Sequence, residues 1–243
     1  MHEELWITKL FNDYLGGVGA ALLSLLNVHA HDPSRPWANF VTMQVVVGLF
    51  IVVVFAILRP RLSMDKPGKL QHIFEIIYDF LYEQAHEQIS HHAGRYVALF
   101  GTLFLFILFA NLLGLVPGFE SPTMFPQVPL GCAMVAFAYY NISGVRENGI
   151  GKYLAHFAGP MPALAPLMIP IEIISHLARP LSLTIRLYAN MYAGEQVTLA
   201  FLGLTYLGAF PFLGLHVFVA FLQAYVFTLL TMIYVAGAVA HDH

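Results

Sequence analysis

Apolar residues run along this chain in long blocks, and the spacing of the polar positions differs from block to block. Residues 40–58, FVTMQVVVGLFIVVVFAIL, carry no formal charge, and about twenty such residues cross the hydrocarbon core of a bilayer. A second run, 96–116, closes at Pro117-Gly118. A shorter third, 128–142, leads into the polar segment SGVRENGIGK. Residues 70–92, between the first two runs, follow another rhythm. Leu70, Ile73, Phe74, Ile77 and Leu81 recur at helical spacing, with Glu75, Asp79 and Glu83 on other faces. That is the pattern of an amphipathic helix lying on a membrane surface.

The last two apolar blocks, 162–202 and 205–240, are too long for a straight crossing. As continuous helices they extend roughly 60 Å and 54 Å, against a core about 30 Å thick. They are expected to be steeply tilted or broken, with Pro166, Pro170, Pro180 and Pro211 as places for kinks. The pattern therefore predicts an all-α integral membrane protein forming a single membrane domain. It has about five membrane-embedded helices, the last two making a long tilted hairpin, and one surface helix.

Composition agrees with this reading. Of 243 residues, 58% are hydrophobic and 10% charged, whereas soluble domains carry roughly a quarter charged residues. A net charge of −3 gives no reason to expect nucleic acid. The single cysteine, Cys132, lies in an apolar run, excludes a disulfide framework and is expected to pack as a small core residue. Residues 1–38 mix tryptophan, tyrosine and leucine with polar side chains, as an outer or interfacial segment does. Val28-His29-Ala30 resembles a signal-peptidase site, but the leading residues are acidic where a signal peptide is basic. The segment is therefore expected in the mature protein.

Orientation follows from the basic residues. Arg59, Arg61, Lys66, Lys69, Arg95, Arg146 and Lys152 lie in the segments after spans one and three, against only Lys9 and Arg35 before span one. The positive-inside rule puts the N-terminus outside and residues 59–95 and 143–155 inside, and the long hairpin returns the C-terminus to the inside.

Block 162–202 carries the candidate chemistry. Glu172, Arg179 and Arg186 are seven residues apart, nearly two helical turns, and so share a face. Ser182, Arg186 and Asn190 extend that stripe, with Ala189 and Ala193 beside it as small residues that let another helix approach. Glu195, nine residues after Arg186, points the other way. In block 205–240, His216 and Gln223 are again seven apart. In an antiparallel hairpin turning near 203–208, Glu195 and His216 are equally far from the turn and can meet. Glu172, His176 and Ser182 then lie toward the inside, Glu195 and His216 toward the outside, and Arg186 between them. Intramembrane ionisable groups mark ion pathways. Glu195 and His216 can exchange protons when their surroundings tune them, but a guanidinium stays protonated. Two polar routes separated by a permanent cation make a relay with a barrier in its middle.

The runs ISHLARPLSLTIRLYANMYAGE and LHVFVAFLQAYVFTLLTMIYVA, with the earlier ANLLGLVPG, resemble subunit a of F-type ATP synthases over about residues 96–243. The resemblance implies that Arg186 faces a carboxylate on each subunit of a rotating c-ring. It places Asn190, Glu195, His216 and Gln223 in an outer half-channel and Glu172 and Ser182 near an inner one. It also implies peripheral-stalk b subunits, the remaining ATP synthase subunits and a lipid bilayer, and the lack of an obvious transit peptide favours a bacterial plasma membrane. One departure is Tyr188-Ala189 where many relatives have phenylalanine-glycine. Ala189 is the bulkier residue at the rotor contact. In the implied mechanism a proton entering from outside neutralises a rotor carboxylate, which can then turn through lipid. It is released at the inner half-channel, where a nearby cation lowers a carboxylate pKa by about 1–3 units.

Several residues carry two readings. Arg179 either satisfies Glu172 or reaches the inner interface. His176 is either a core or channel-lining histidine or a relay member. Asn111 either satisfies broken backbone before Pro117 or lines the outer half-channel. His72 and His86 have a haem-ligand spacing but stand on an acidic surface helix, and HEQISH misses the HExxH zinc pattern at Ser90. Neither metal nor cofactor is expected. Asn141-Ile142-Ser143 matches a glycosylation sequon at the inner edge. No Walker motif is present, so nucleotide chemistry belongs to another chain. A self-contained secondary transporter would show inverted repeats, and a respiratory membrane anchor would show a haem band.

Overall fold

The computed structural model describes residues 4–25, 35–64, 66–89, 93–116, 118–156, 165–204 and 206–239. Among these residues, seven α-helices follow in order: α1 (Trp6–Leu25), α2 (Asn39–Leu58), α3 (Lys69–Ile89), α4 (Ala93–Leu113), α5 (Gln127–His156), α6 (Ala165–Leu204) and α7 (Tyr206–Val239). Short 3-10 helices lie at Arg59–Arg61 and Pro122–Met124, and no strand occurs among the described residues. Val28-His29-Ala30, Ser90, Pro117, 162–164, Thr205 and Ala240 lie outside the described residues.

Among the described residues, four helical stretches are long and apolar enough to cross a membrane: Asn39–Arg61, Ala93–Leu113, Gln127–Tyr153 and Pro211–Val239. The fifth member of the expected set, α6, falls short of that apolarity because charged and amide residues are spread along it. It packs instead between α5 and α7. The chain is thus an all-α membrane protein with one polar helix among apolar ones.

The core lies where α4, α5, α6 and α7 meet. On α4, Tyr96, Val97, Phe100, Phe104, Ile107 and Asn111 are buried, a three-four spacing that turns one stripe inward. Ala133, Ala136, Ala220, Ala224 and Ala238 are buried opposite it, and small residues allow helix backbones to come close. Cys132 is buried there as a free thiol.

Both long helices run through their prolines without ending, Pro170 and Pro180 in α6 and Pro211 in α7. Pro166 sits in the first turn of α6, where a missing N–H costs nothing. With 40 residues in α6 and 34 in α7, continuous helices of roughly 60 and 51 Å must be steeply inclined to fit a 30 Å core. The packing of α3 supports this tilt. Phe74, Ile77, Leu81 and Ala85 turn toward α4 and α7, with Glu75, Asp79 and Glu83 exposed. The Tyr225 hydroxyl donates to Gln84 Oε1 at 3.1 Å, and Phe80 packs on the Tyr225 ring. A surface helix therefore meets α7 near its midpoint rather than at its end.

The sequence placed the end of the third span near 142, but α5 continues to His156 with one interruption. Gly149 has φ 75° and ψ 157°, a conformation reserved almost wholly for glycine. The residues SGVREN are polar enough to read as a loop, yet none of them breaks a helix. Arg95 pairs with Glu147, and Asn148 Nδ2 donates to the Ala238 carbonyl at 3.0 Å, tying α5 to α4 and α7. After Gly149 the chain folds back, and Tyr153 reaches Asn141.

At the opposite end, α1 is a helix laid on the segment before α2. Asn12 donates to Glu4 and accepts from the Trp37 backbone N–H, Arg35 pairs with Glu4, and Trp6 meets Phe119 edge to face.

Candidate functional site

Two faces of α6 carry different chemistry. Pro180, Leu183, Thr184, Leu187 and Met191 are buried at helical spacing against the neighbouring helices. Ser182, Arg186, Ala189, Asn190 and Ala193 form an exposed stripe. The expected sharing of a face by Ser182, Arg186 and Asn190 is seen in the helix. Ser182 Oγ is spent on the Arg179 carbonyl at 2.9 Å. Neither Arg186 nor Asn190 makes an ion pair or hydrogen bond among the described residues. A bare guanidinium thus stands mid-helix among small side chains.

Toward the N-terminal end of α6 the polar groups are engaged. Arg179 Nη2 lies 3.5 Å from Glu172 Oε1, and its guanidinium stands 5.2 Å from the Tyr234 ring centroid on α7. Arg179 therefore satisfies Glu172, the structural one of its two readings. His176 Nε2 lies 2.9 Å from Asn141 Oδ1, which also accepts from the Tyr153 hydroxyl at 2.8 Å. The rings of Phe137 and Tyr140 hold the imidazole edge to face, at 5.4 and 5.1 Å between centroids. Asn141, Tyr140, Tyr153 and Tyr234 were not among the expected site residues. A polar asparagine inside an apolar run was the only signal for them, since tyrosines in such runs are common packing groups.

Toward the C-terminal end, Glu195 is half-buried and faces away from Arg186, as nine residues of helix dictate. His216 is buried against Gly194, where a Cβ would stand 3.4 Å from its Nδ1. The hairpin thus brings His216 beside the residue preceding Glu195, one position from the expected register. No hydrogen bond joins Glu195 to His216, and His216 Nε2 is buried with no partner among the described residues. Gln223 is buried on the same face of α7. Asn111 is fully buried between them. Its Nδ2 donates to the Ala220 carbonyl at 3.2 Å and its Oδ1 accepts from Thr123 Oγ1 at 2.6 Å. Both ends of that amide are occupied in joining α4, α7 and the Pro122–Met124 turn.

His72 lies 3.9 Å from Glu75, and His86 stacks on Tyr82. Both stay on the surface helix, away from these groups.

Along α6 the order is an engaged polar cluster, a bare cation, and a second polar cluster. Fold and site together define a multi-pass helical membrane protein with ionisable groups set inside its own hairpin. The family model described as the ATP synthase A chain matches residues 40–236. The chain is 68% identical over 235 residues to the ATP synthase subunit a of Solibacter usitatus, covering 96% of this chain and 100% of that one. It is 50% identical over 245 residues to that of Koribacter versatilis, covering 100% of both. A more distant likeness, 38% over 244 residues, is to the ATP synthase subunit a of Nitratidesulfovibrio vulgaris. The chain belongs to the family of subunit a of F-type ATP synthases.

Proposed function

We propose that this chain conducts protons to and from the carboxylates of a rotor c-ring through two offset half-channels, coupling a proton gradient to ATP synthesis. The observation that carries this reading is Arg186, without a partner among the described residues, on the exposed face of α6 between two polar clusters. An intramembrane arginine costs about 2.5–3.5 kcal/mol even on insertion scales. A helix that leaves such a charge without a partner of its own is built to meet one from outside, and a rotor carboxylate has the complementary charge.

Glu195, His216 and Gln223, with Asn190 on the rotor side, form the outer route. Glu172 and Ser182 line the inner one, with His176 beside it. Asn111 braces the outer end of the bundle instead of lining the route. A proton from outside neutralises a rotor carboxylate, the neutral group passes through lipid, and Arg186 favours ionisation where the inner route begins. The same fixed charge repels a proton hopping directly between the routes. The chain functions as one membrane domain in a bacterial plasma membrane, N-terminus outside and C-terminus inside. The peripheral-stalk b subunits hold it against the rotor, and the remaining ATP synthase subunits supply nucleotide catalysis.

Arg186→Ala should abolish proton-driven ATP synthesis in sealed vesicles while the complex still copurifies. Arg186→Lys should fail or nearly so, because a desolvated ammonium can lose its proton and lacks the planar fork. Near wild-type synthesis by an assembled Arg186→Ala complex would refute the proposal.

A further inference from the structure

Asn141 sits where α5, its folded-back tail and α6 meet, and a single bond decides which way its amide points. Nδ2 lies 2.7 Å from the Phe137 carbonyl oxygen, and a carbonyl can only accept. The flipped amide would set two oxygens face to face, so the network assigns Oδ1 to the other side. There Oδ1 accepts from the Tyr153 hydroxyl and faces His176 Nε2. An amide oxygen offers no hydrogen, so Nε2 carries the N–H and donates it. The neutral ring then has its lone pair on Nδ1. Phe137 and Tyr140 pack edge to face against this ring and oppose its rotation.

Resting on the inner-route reading above, the geometry points to Asn141 as a positioning residue that holds His176 as the Nε2–H tautomer, so that this histidine exchanges protons at Nδ1 alone. A through-relay takes a proton at one ring nitrogen and gives it up at the other. Here the second step would deliver the proton to an amide oxygen, a base far too weak to hold it, whose other lone pair already accepts from Tyr153. A proton that binds Nδ1 therefore leaves from Nδ1. His176 is a store beside the route and not a link in it. Among the described residues, the other charged or titratable groups of this cluster are Glu172 and Arg179 on α6, Tyr140 and Tyr153 on α5, and Tyr234 on α7.

The test uses the assembled complex in sealed vesicles, with histidine labelled by nitrogen-15 and the His176 signals identified by their loss in His176→Gln. At a pH where the ring is neutral, Nε2 should give the pyrrole-type signal and Nδ1 the pyridine-type signal. Asn141→Leu and His176→Gln should each lower proton-driven ATP synthesis about five-fold, the worth of one ordinary hydrogen bond. The double variant should be no slower than either single one, because Asn141 acts through His176. A pyridine-type Nε2 in the parent overturns the inference. So does a double variant slowed by the product of the two single effects, which is what a merely structural Asn141 would give. Complete loss of synthesis in His176→Gln would make this histidine a through-relay and overturn it as well. Unchanged synthesis in all variants, with the Nε2–H signal intact, would instead remove the inner route from this cluster and with it the role of the lock.

Discussion

Arg186 and Glu195 stand nine residues apart on one helix and face opposite ways, so each must find its partner on a different neighbour. Glu195 lies beside the hairpin contact at His216, whose ring rests on Gly194. Glu195→Ala and His216→Ala should each slow proton uptake in vesicles, and the double variant should be less than additive if both serve one route. Full additivity would separate them. Asn111 makes a contrasting case. Replacing it by leucine removes two buried bonds, together about 1–3 kcal/mol, although Thr123 Oγ1 keeps Ser121 Oγ and the Ala220 carbonyl keeps its place in the α7 ladder. The buried Cys132 thiol of the solubilised complex should then become reactive at a lower temperature. Synthesis should fall only in proportion to the loss of assembled complex; a larger fall would return Asn111 to the proton route. At this scale the sequence showed the periodic stripes well, because 3.6-residue spacing alone determines which residues share a helix face. It could not show that His216 meets position 194, since a hairpin's register depends on its turn as well as on residue counts.

Among the elements, α5 departs furthest from its sequence expectation, and the departure centres on Gly149. A Cβ there would meet nothing within 4 Å, so Gly149→Ala tests backbone strain alone and should cost roughly 1–3 kcal/mol. Gly144→Ala tests the opposite effect. Its added carbon would fall 2.5 Å from the Tyr153 ring and 3.0 Å from the Ala238 carbonyl oxygen. Tyr153 would have to leave Asn141 to make room. Both variants should lower the temperature at which Cys132 becomes reactive, and only Gly144→Ala should also disturb the His176 signals at moderate temperature. Equal disturbance by both would mean that the fold-back moves as one piece. The apolar runs made α2, α4 and the two long helices legible, because burial in lipid demands unbroken apolar length. The α5 tail was hidden because its polar composition suits a loop and a helix end equally. The Asn141–Tyr153–His176 contact was hidden with it, since it exists only once the chain reverses at Gly149.

For the molecule as a whole, orientation is the property most open to direct test. Cysteine placed at Arg35 and at Ile150, both exposed, should react with a membrane-impermeant reagent from opposite faces of sealed vesicles, with buried Cys132 silent as a control. Reaction of both from one face would reverse the topology drawn from basic residues. The exposed stripe of α6 has a further consequence. A newly inserted copy, not yet joined to its partners, presents a permanent charge to hydrocarbon with no counter-ion among the described residues to cover it. The orphan is therefore the least comfortable form of the chain, prone to twist in the bilayer or draw water toward the guanidinium. Any surveillance protease that senses polar defects in the membrane would clear surplus copies first, so the residue proposed to govern turnover of protons would also keep the subunits in proportion.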